Sequence, residues 1–162
     1  MKAGSIQRFE LNSFLLQYDY SAGVLLCKSH PQGNNLWVKK IDEKGVILDI
    51  IDSDDLFFIA FEDDDVGGEF IAVEKTGGKT RWVIPGRAYM YRIYGSFIFL
   101  IFVDGDGKYF FIKSSRDDGG LVWHHAVDIG LAEYSIKSDY ITLTYCDGRR
   151  EVLDFETGEE IR

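Results

Sequence analysis

Proline and cysteine are scarce, with two of each in 162 residues. Cys27 and Cys146 stand far apart and without metal-ligand spacing, which excludes a disulfide framework and a cysteine metal site, leaving two reduced thiols. Histidine is little commoner: His30 stands alone, and His124 and His125, adjacent on an extended segment, point to opposite faces and do not share a metal. No apolar run approaches the roughly 20 residues of a membrane-spanning helix. The opening "MKAGSIQRFELNS" lacks an apolar core of signal-peptide length. The expectation is a soluble, cytoplasmic protein. Positive charge is in deficit, 18 Lys and Arg against 27 Asp and Glu for a net charge of -9, which opposes approach to nucleic acid or to an anionic membrane. A basic protein or a cation is the favoured charged partner. Helical periodicity, linkers and low-complexity segments are also missing.

What remains is apolar and aromatic, 46% and 15% of the residues, with 17 glycines. That composition is far from disorder and leans towards strands, where aromatic and β-branched side chains pack best. The length suits one domain, 1–162, able to bury most of its apolar surface.

A repeat organises this material. Gly33, Gly78, Gly119 and Gly158 each stand four residues before Trp37, Trp82, Trp123 and Arg162, and successive glycines are 45, 41 and 39 residues apart. Upstream of each anchor, two strand-like runs flank a turn that carries glycine in every unit: "FLLQYDYSAGVLLCK", "LFFIAFEDDDVGGEFIAVE", "FIFLIFVDGDGKYFFIK" and "YITLTYCDGRREVLDF". A shorter alternating stretch precedes each hairpin, as in "GVILDII" and "AYMYRIY". Four strands in about 40 residues, repeated over 4–42, 45–84, 87–127 and 130–162, is the grammar of propeller blades. The fold class is therefore all-β: a four-repeat β-propeller-like architecture of four-stranded antiparallel blades, the last one incomplete.

The phrases "DFETGEEIR", "EKTGGKTRW" and "RDDGGLVW" resemble the Asp-x-x-Thr-Gly-x-x-x-Trp repeat of pyrroloquinoline-quinone-type β-propellers, found in quinoprotein dehydrogenases and in many cofactor-free propellers. The resemblance spans almost the whole chain as four units. It departs at "HPQGNNLW", at an extra glycine in the second unit and at Arg162, where tryptophan would stand. It implies a fold and no particular activity. The quinone enzymes of that family are several times longer and draw their ligands from many blades, so no cofactor is carried over.

The incomplete last unit leaves an edge to be covered. Closure within one chain, as a monomer, is favoured; a homodimer whose second copy supplies the missing blades is the alternative.

In propeller topology the turns between second and third strands share one rim with the connections between blades. Here those turns hold Asp19, then Glu62, Asp63, Asp64 and Asp65, then Asp104 and Asp106, then Asp147. Turn chemistry explains "DGDG" and "CDGR", because Asp and Gly tolerate positive φ. It explains "EDDD" less well, so these carboxylates are candidates for binding a basic protein. Calcium is disfavoured, since "DGDG" lacks the downstream bidentate glutamate. A second candidate site is the stretch "RAYMYRIYG", where Tyr89, Tyr91, Arg92 and Tyr94, with Arg87, would contact a small ligand on the blade axis or simply pack between blades. Alternation sets Tyr89 and Tyr91 on one face, against Met90, Arg92 and Tyr94 on the other. No nucleophile with its base, no phosphate loop and no buried carboxylate pair is readable. The function expected is a non-catalytic binding module, one version being a small bacterial neutralising partner of the immunity type; the alternative is a ligand-binding protein or enzyme with its site on the axis.

Overall fold

Fifteen strands and no helix form among the described residues of the computed structural model, 5–41, 45–64 and 67–161. They make four sheets, each a meander in chain order. The first holds β1 (Ile6–Glu10), β2 (Phe14–Asp19), β3 (Val24–Ser29) and β4 (Asn35–Lys40), and the second β5 (Val46–Asp52), β6 (Leu56–Glu62), β7 (Gly68–Glu74) and β8 (Thr80–Pro85). The third holds β9 (Arg87–Tyr94), β10 (Phe97–Val103), β11 (Tyr109–Ser115) and β12 (Leu121–Val127). The fourth has three strands, β13 (Leu131–Ile136), β14 (Tyr140–Tyr145) and β15 (Arg150–Asp154). Its outer strand shrinks to one bridge between Leu153 and Glu160 and a bond from Ile161 N to Val152 O, so the last blade is incomplete.

The chain divides into two compact units, Met1–Arg87 and Ala88–Arg162. In the first, Leu16, Tyr18 and Cys27 pack with Phe57, Ile59 and Phe61. In the second, Phe99, Phe111 and Trp123 pack with Ile141, Leu143 and Phe155. Sequence pattern tracks burial: the unbroken apolar run Leu56–Phe61 of β6 is buried on both faces, whereas β2 buries Leu16 and Tyr18 and leaves Leu15 and Gln17 half-buried.

The fixed spacing of the anchors has a local cause. In every repeat the anchor glycine donates its N–H to the carbonyl four residues back: Gly33 to Ser29, Gly78 to Glu74, Gly119 to Ser115 and Gly158 to Asp154, at 2.8–3.1 Å. The same acceptor residue donates to the carbonyl just after the glycine, closing a tight turn into the last strand. All four glycines sit at φ between +70° and +77°, where any other residue is strained. The pairing register shifts at this turn in the three complete sheets, after Cys27, Ala72 and Lys113, the residues opposite the tryptophans.

The glycine has a second duty. Trp37 lies on Gly78 and Trp123 lies on Gly158, so each indole covers the anchor of the following repeat. Its Nε1–H donates to the carbonyl three residues before that glycine, Trp37 to Lys75 O at 2.7 Å and Trp123 to Phe155 O at 3.1 Å. The N–H of the same residue is tied to its own sheet's first turn, Lys75 to Asp55 O and Phe155 to Asp139 O. Side chains also bridge the leading strands. Gln7 exchanges two bonds of 2.8 Å with the Ile47 backbone, and Arg92 donates to Tyr134 O.

Candidate partner-binding site

The acidic turns form by capping their own backbone. Asp19 accepts from Ser21 and Ala22, and Asp104 from the N–H groups of Asp106 and Lys108. The hydroxyl of Ser21, with the backbone bonds, holds the Asp19 carboxyl below its ordinary pKa. In the second sheet, Asp63 accepts from Gly45 N at 2.7 Å and Asp64 from Gly67 N at 2.5 Å. Asp63 thereby joins the β6–β7 turn to the connection that leads into β5, the shared rim expected of this topology. Asp65 lies outside the described residues.

The "EDDD" turn is not without a cation. Arg87 pairs with Glu62 at 2.7 Å and donates to Asp64 O. In the second unit Arg149 spans Asp147 and Asp128, lowering both carboxyls and raising its own pKa, with its guanidinium 4.4 Å from the Tyr145 ring centre. Asp106 remains open, its side chain 78% exposed with Lys108 3.9 Å away. Turn formation therefore accounts for much of this acid, and what it leaves for a partner is carboxylates held in fixed places.

The tyrosine strand is split up. Arg92 is drawn over the Tyr134 ring at 4.8 Å, and Tyr94 packs edge-on against Phe155 at 5.8 Å. Tyr134 donates its hydroxyl to Met90 O and to Phe99 O, and burial raises its pKa. Met90 has φ +49°, a conformation rare outside glycine. Of the four expected ligand contacts, Tyr89 lines a cleft about 270 Å³ in volume, with Met90, Ile101, Tyr109, Asp128 and Ile129. Asp128, whose carboxylate is paired with Arg149, also lines it. Among the described residues no cluster of three His, Cys, Asp or Glu is placed to hold a metal. His124 and His125 do face opposite ways: one meets the Phe110 ring edge-on, the other bonds Glu151 at 3.1 Å.

Sequence reasoning missed Lys113. It occupies the position of Cys27 and Ala72, opposite the tryptophan, and is fully buried. Its ammonium donates to Phe155 O at 2.9 Å, sits 3.6 Å from Glu156 and lies over the Phe97 and Phe155 rings at 4.0 and 3.8 Å. Only its departure from the small residues of the other repeats signals it.

No family model and no curated protein matches the chain. Solved structures do. The chain is similar over its whole length to 48% of BamB from Moraxella catarrhalis, at 20% identity and a TM-score of 0.59. It is similar over 96% of its length to 33% of the quinohemoprotein alcohol dehydrogenase ADHIIG from Pseudomonas putida HK5, at 14% identity and a TM-score of 0.64. A third likeness, at 10% identity and a TM-score of 0.64, covers 95% of this chain and 93% of the computationally designed Ika4 protein. Identities this low show the fold, which is β-propeller-like. The chain spans about half the length of BamB.

Proposed function

We propose that this protein is a non-catalytic interaction module whose repeats are of the pyrroloquinoline-quinone type without the cofactor, and whose acidic turns bind a basic protein. The observation that carries the reading is the anchoring of Asp63 and Asp64 on the amides of Gly45 and Gly67. Carboxylates held by backbone donors meet a partner with little ordering cost, and the net charge of -9 draws a basic surface in from a distance. A neutralising role of the immunity type fits that chemistry, in a cytoplasmic setting.

The test replaces Asp63, Asp64 and Asp65 together by Asn, which preserves an oxygen for each capped amide. Association with small basic nucleases is then followed by surface plasmon resonance at low and high salt. Wild type should bind with an on-rate that falls as salt rises, and the variant should lose that salt-dependent step with its thermal unfolding unchanged. Equal binding by both proteins would sink the proposal. The small-molecule reading rests on the cleft beside Tyr89, where apolar side chains surround Asp128.

A further inference from the structure

Two residues beside the cleft of the second unit break local rules to be there. Met90 lines it with φ +49°, a conformation that glycine adopts without strain and methionine does not. Ile129 lines it from the connection between β12 and β13, where polar turn residues are usual, and is 79% exposed. Neighbours on a strand normally face opposite ways, yet Tyr89 and Met90 line the same cleft, the strand being turned at the residue with positive φ. Both departures place apolar side chains where the fold alone would take glycine or a polar residue. Such departures collect at functional sites.

Both walls are held in place. On one side the Tyr134 hydroxyl donates to Met90 O. On the other, Asp128 Oδ1 accepts from Gly130 N at 2.9 Å and Asp128 O from Leu131 N at 3.2 Å, while Arg149 ties the same carboxylate to Asp147. A cleft so fixed needs little ordering to bind. Its volume, about 270 Å³, lies just under the roughly 300–1,000 Å³ of small-molecule pockets and suits one large side chain. The rings of Tyr89 and Tyr109 and the thioether of Met90 favour an aromatic one. The surroundings are acidic. The turns leading into Tyr109 and Leu131 carry Asp104, Asp106 and Asp128, and Arg149 joins Asp147 to them; against these four carboxylates stand Lys108 and Arg149.

We infer, resting on the basic-partner reading above, that this cleft seats an aromatic side chain that stands next to arginine or lysine on the partner protein. The seat adds shape to a recognition otherwise made of charge, and it lies in the unit that does not carry Asp63 and Asp64.

The experiment titrates protein carrying 13C-methyl methionine with acetyl-Arg-Trp-Arg-amide, acetyl-Arg-Gly-Arg-amide and N-acetyltryptophanamide, and follows the Met90 ε-methyl, one of two such groups in the chain. The tryptophan peptide should bind about tenfold or more tightly than either other probe, move the Met90 methyl by ring current, and weaken as salt rises. Ile129→Gly should reduce its affinity to about that of the glycine peptide, whose own binding stays unchanged. Met90→Gly, followed by calorimetry, should do the same with an unchanged circular dichroism spectrum. Equal affinity for the two peptides, or variants that bind the tryptophan peptide as wild type does, overturns the seat and leaves the acidic turns their role. N-acetyltryptophanamide binding as tightly as the tryptophan peptide makes the cleft a small-molecule site and also overturns it. Peptide binding that is absent or indifferent to salt overturns the seat together with the basic-partner reading beneath it.

Discussion

The indole of Trp123 lies across Gly158 so closely that a methyl group on that glycine would stand 2.5 Å from the ring. Trp37 meets Gly78 at 2.6 Å by the same measure, and the two pairs make the glycine anchor a matter of shape as well as of backbone conformation.

Adjacent glycines separate the two causes. Gly77 and Gly78 have φ of +85° and +70°, but only Gly78 is roofed by an indole. Gly77→Ala should cost about 1–2 kcal/mol for the left-handed conformation. Gly78→Ala should add overpacking and cost about 2–5 kcal/mol. Denaturant midpoints of the two variants check this, and equal losses would deny the contact its part.

Trp37→Phe and Trp123→Phe delete the same indole N–H from different surroundings. Phe155 O keeps Lys113 Nζ as a donor at 2.9 Å, whereas Lys75 O accepts from Trp37 at 2.7 Å. The Trp37 variant should lose more stability, by about 1 kcal/mol, because a part-buried acceptor left without its donor is the costlier outcome. Parallel urea titrations give the difference directly.

Lys113 makes stability depend on pH. Desolvation holds its ammonium below the ordinary lysine value, against a smaller opposing pull from Glu156. Between its folded value and the ordinary value of about 10.4, the unfolded chain holds a proton that the folded chain has released. Its contribution to stability therefore rises with pH through that window. Lys113→Met should stay within about 1 kcal/mol of wild type at neutral pH, as apolar replacement of buried ions often does. The gap in favour of wild type should then widen towards pH 10, as read from chemical denaturation at several alkaline pH values.

The two cysteines should part in reactivity. Burial pushes the Cys27 thiol up to about 11, while Cys146 is exposed. A thiol reagent at mildly alkaline pH should titrate one group in the native protein and two after denaturation. Two fast thiols in the native state would contradict the packing around Cys27.

Much of the architecture is legible because its causes are local. A tight turn needs glycine four residues after its first acceptor, and an Asp-Gly hairpin needs residues that tolerate positive φ, so both leave marks in a short window. The contacts that give the site its character run over long separations. Arg87 neutralises Glu62 from 25 residues away, Arg92 reaches Tyr134 across 42, and Trp37 and Trp123 cover Gly78 and Gly158 from the preceding repeat. No periodicity records such pairs. "FIKSS" reads as an alternating strand with a solvated lysine, and only the closeness of Phe97 and Phe155 in space makes that lysine an interior one.

The peptide groups of Lys75 and Phe155 are clasped from both sides, by their own sheet through N–H and by the preceding sheet's indole through C=O. Each indole proton is thus a gauge of the repeat that follows it. When the first turn of the second sheet loosens at Asp55, the exchange of the Trp37 proton with solvent quickens; the Trp123 proton reports Asp139 in the same way. Two resonances in a hydrogen-exchange spectrum therefore read out how firmly neighbouring repeats hold together inside each unit, without a label or a substitution.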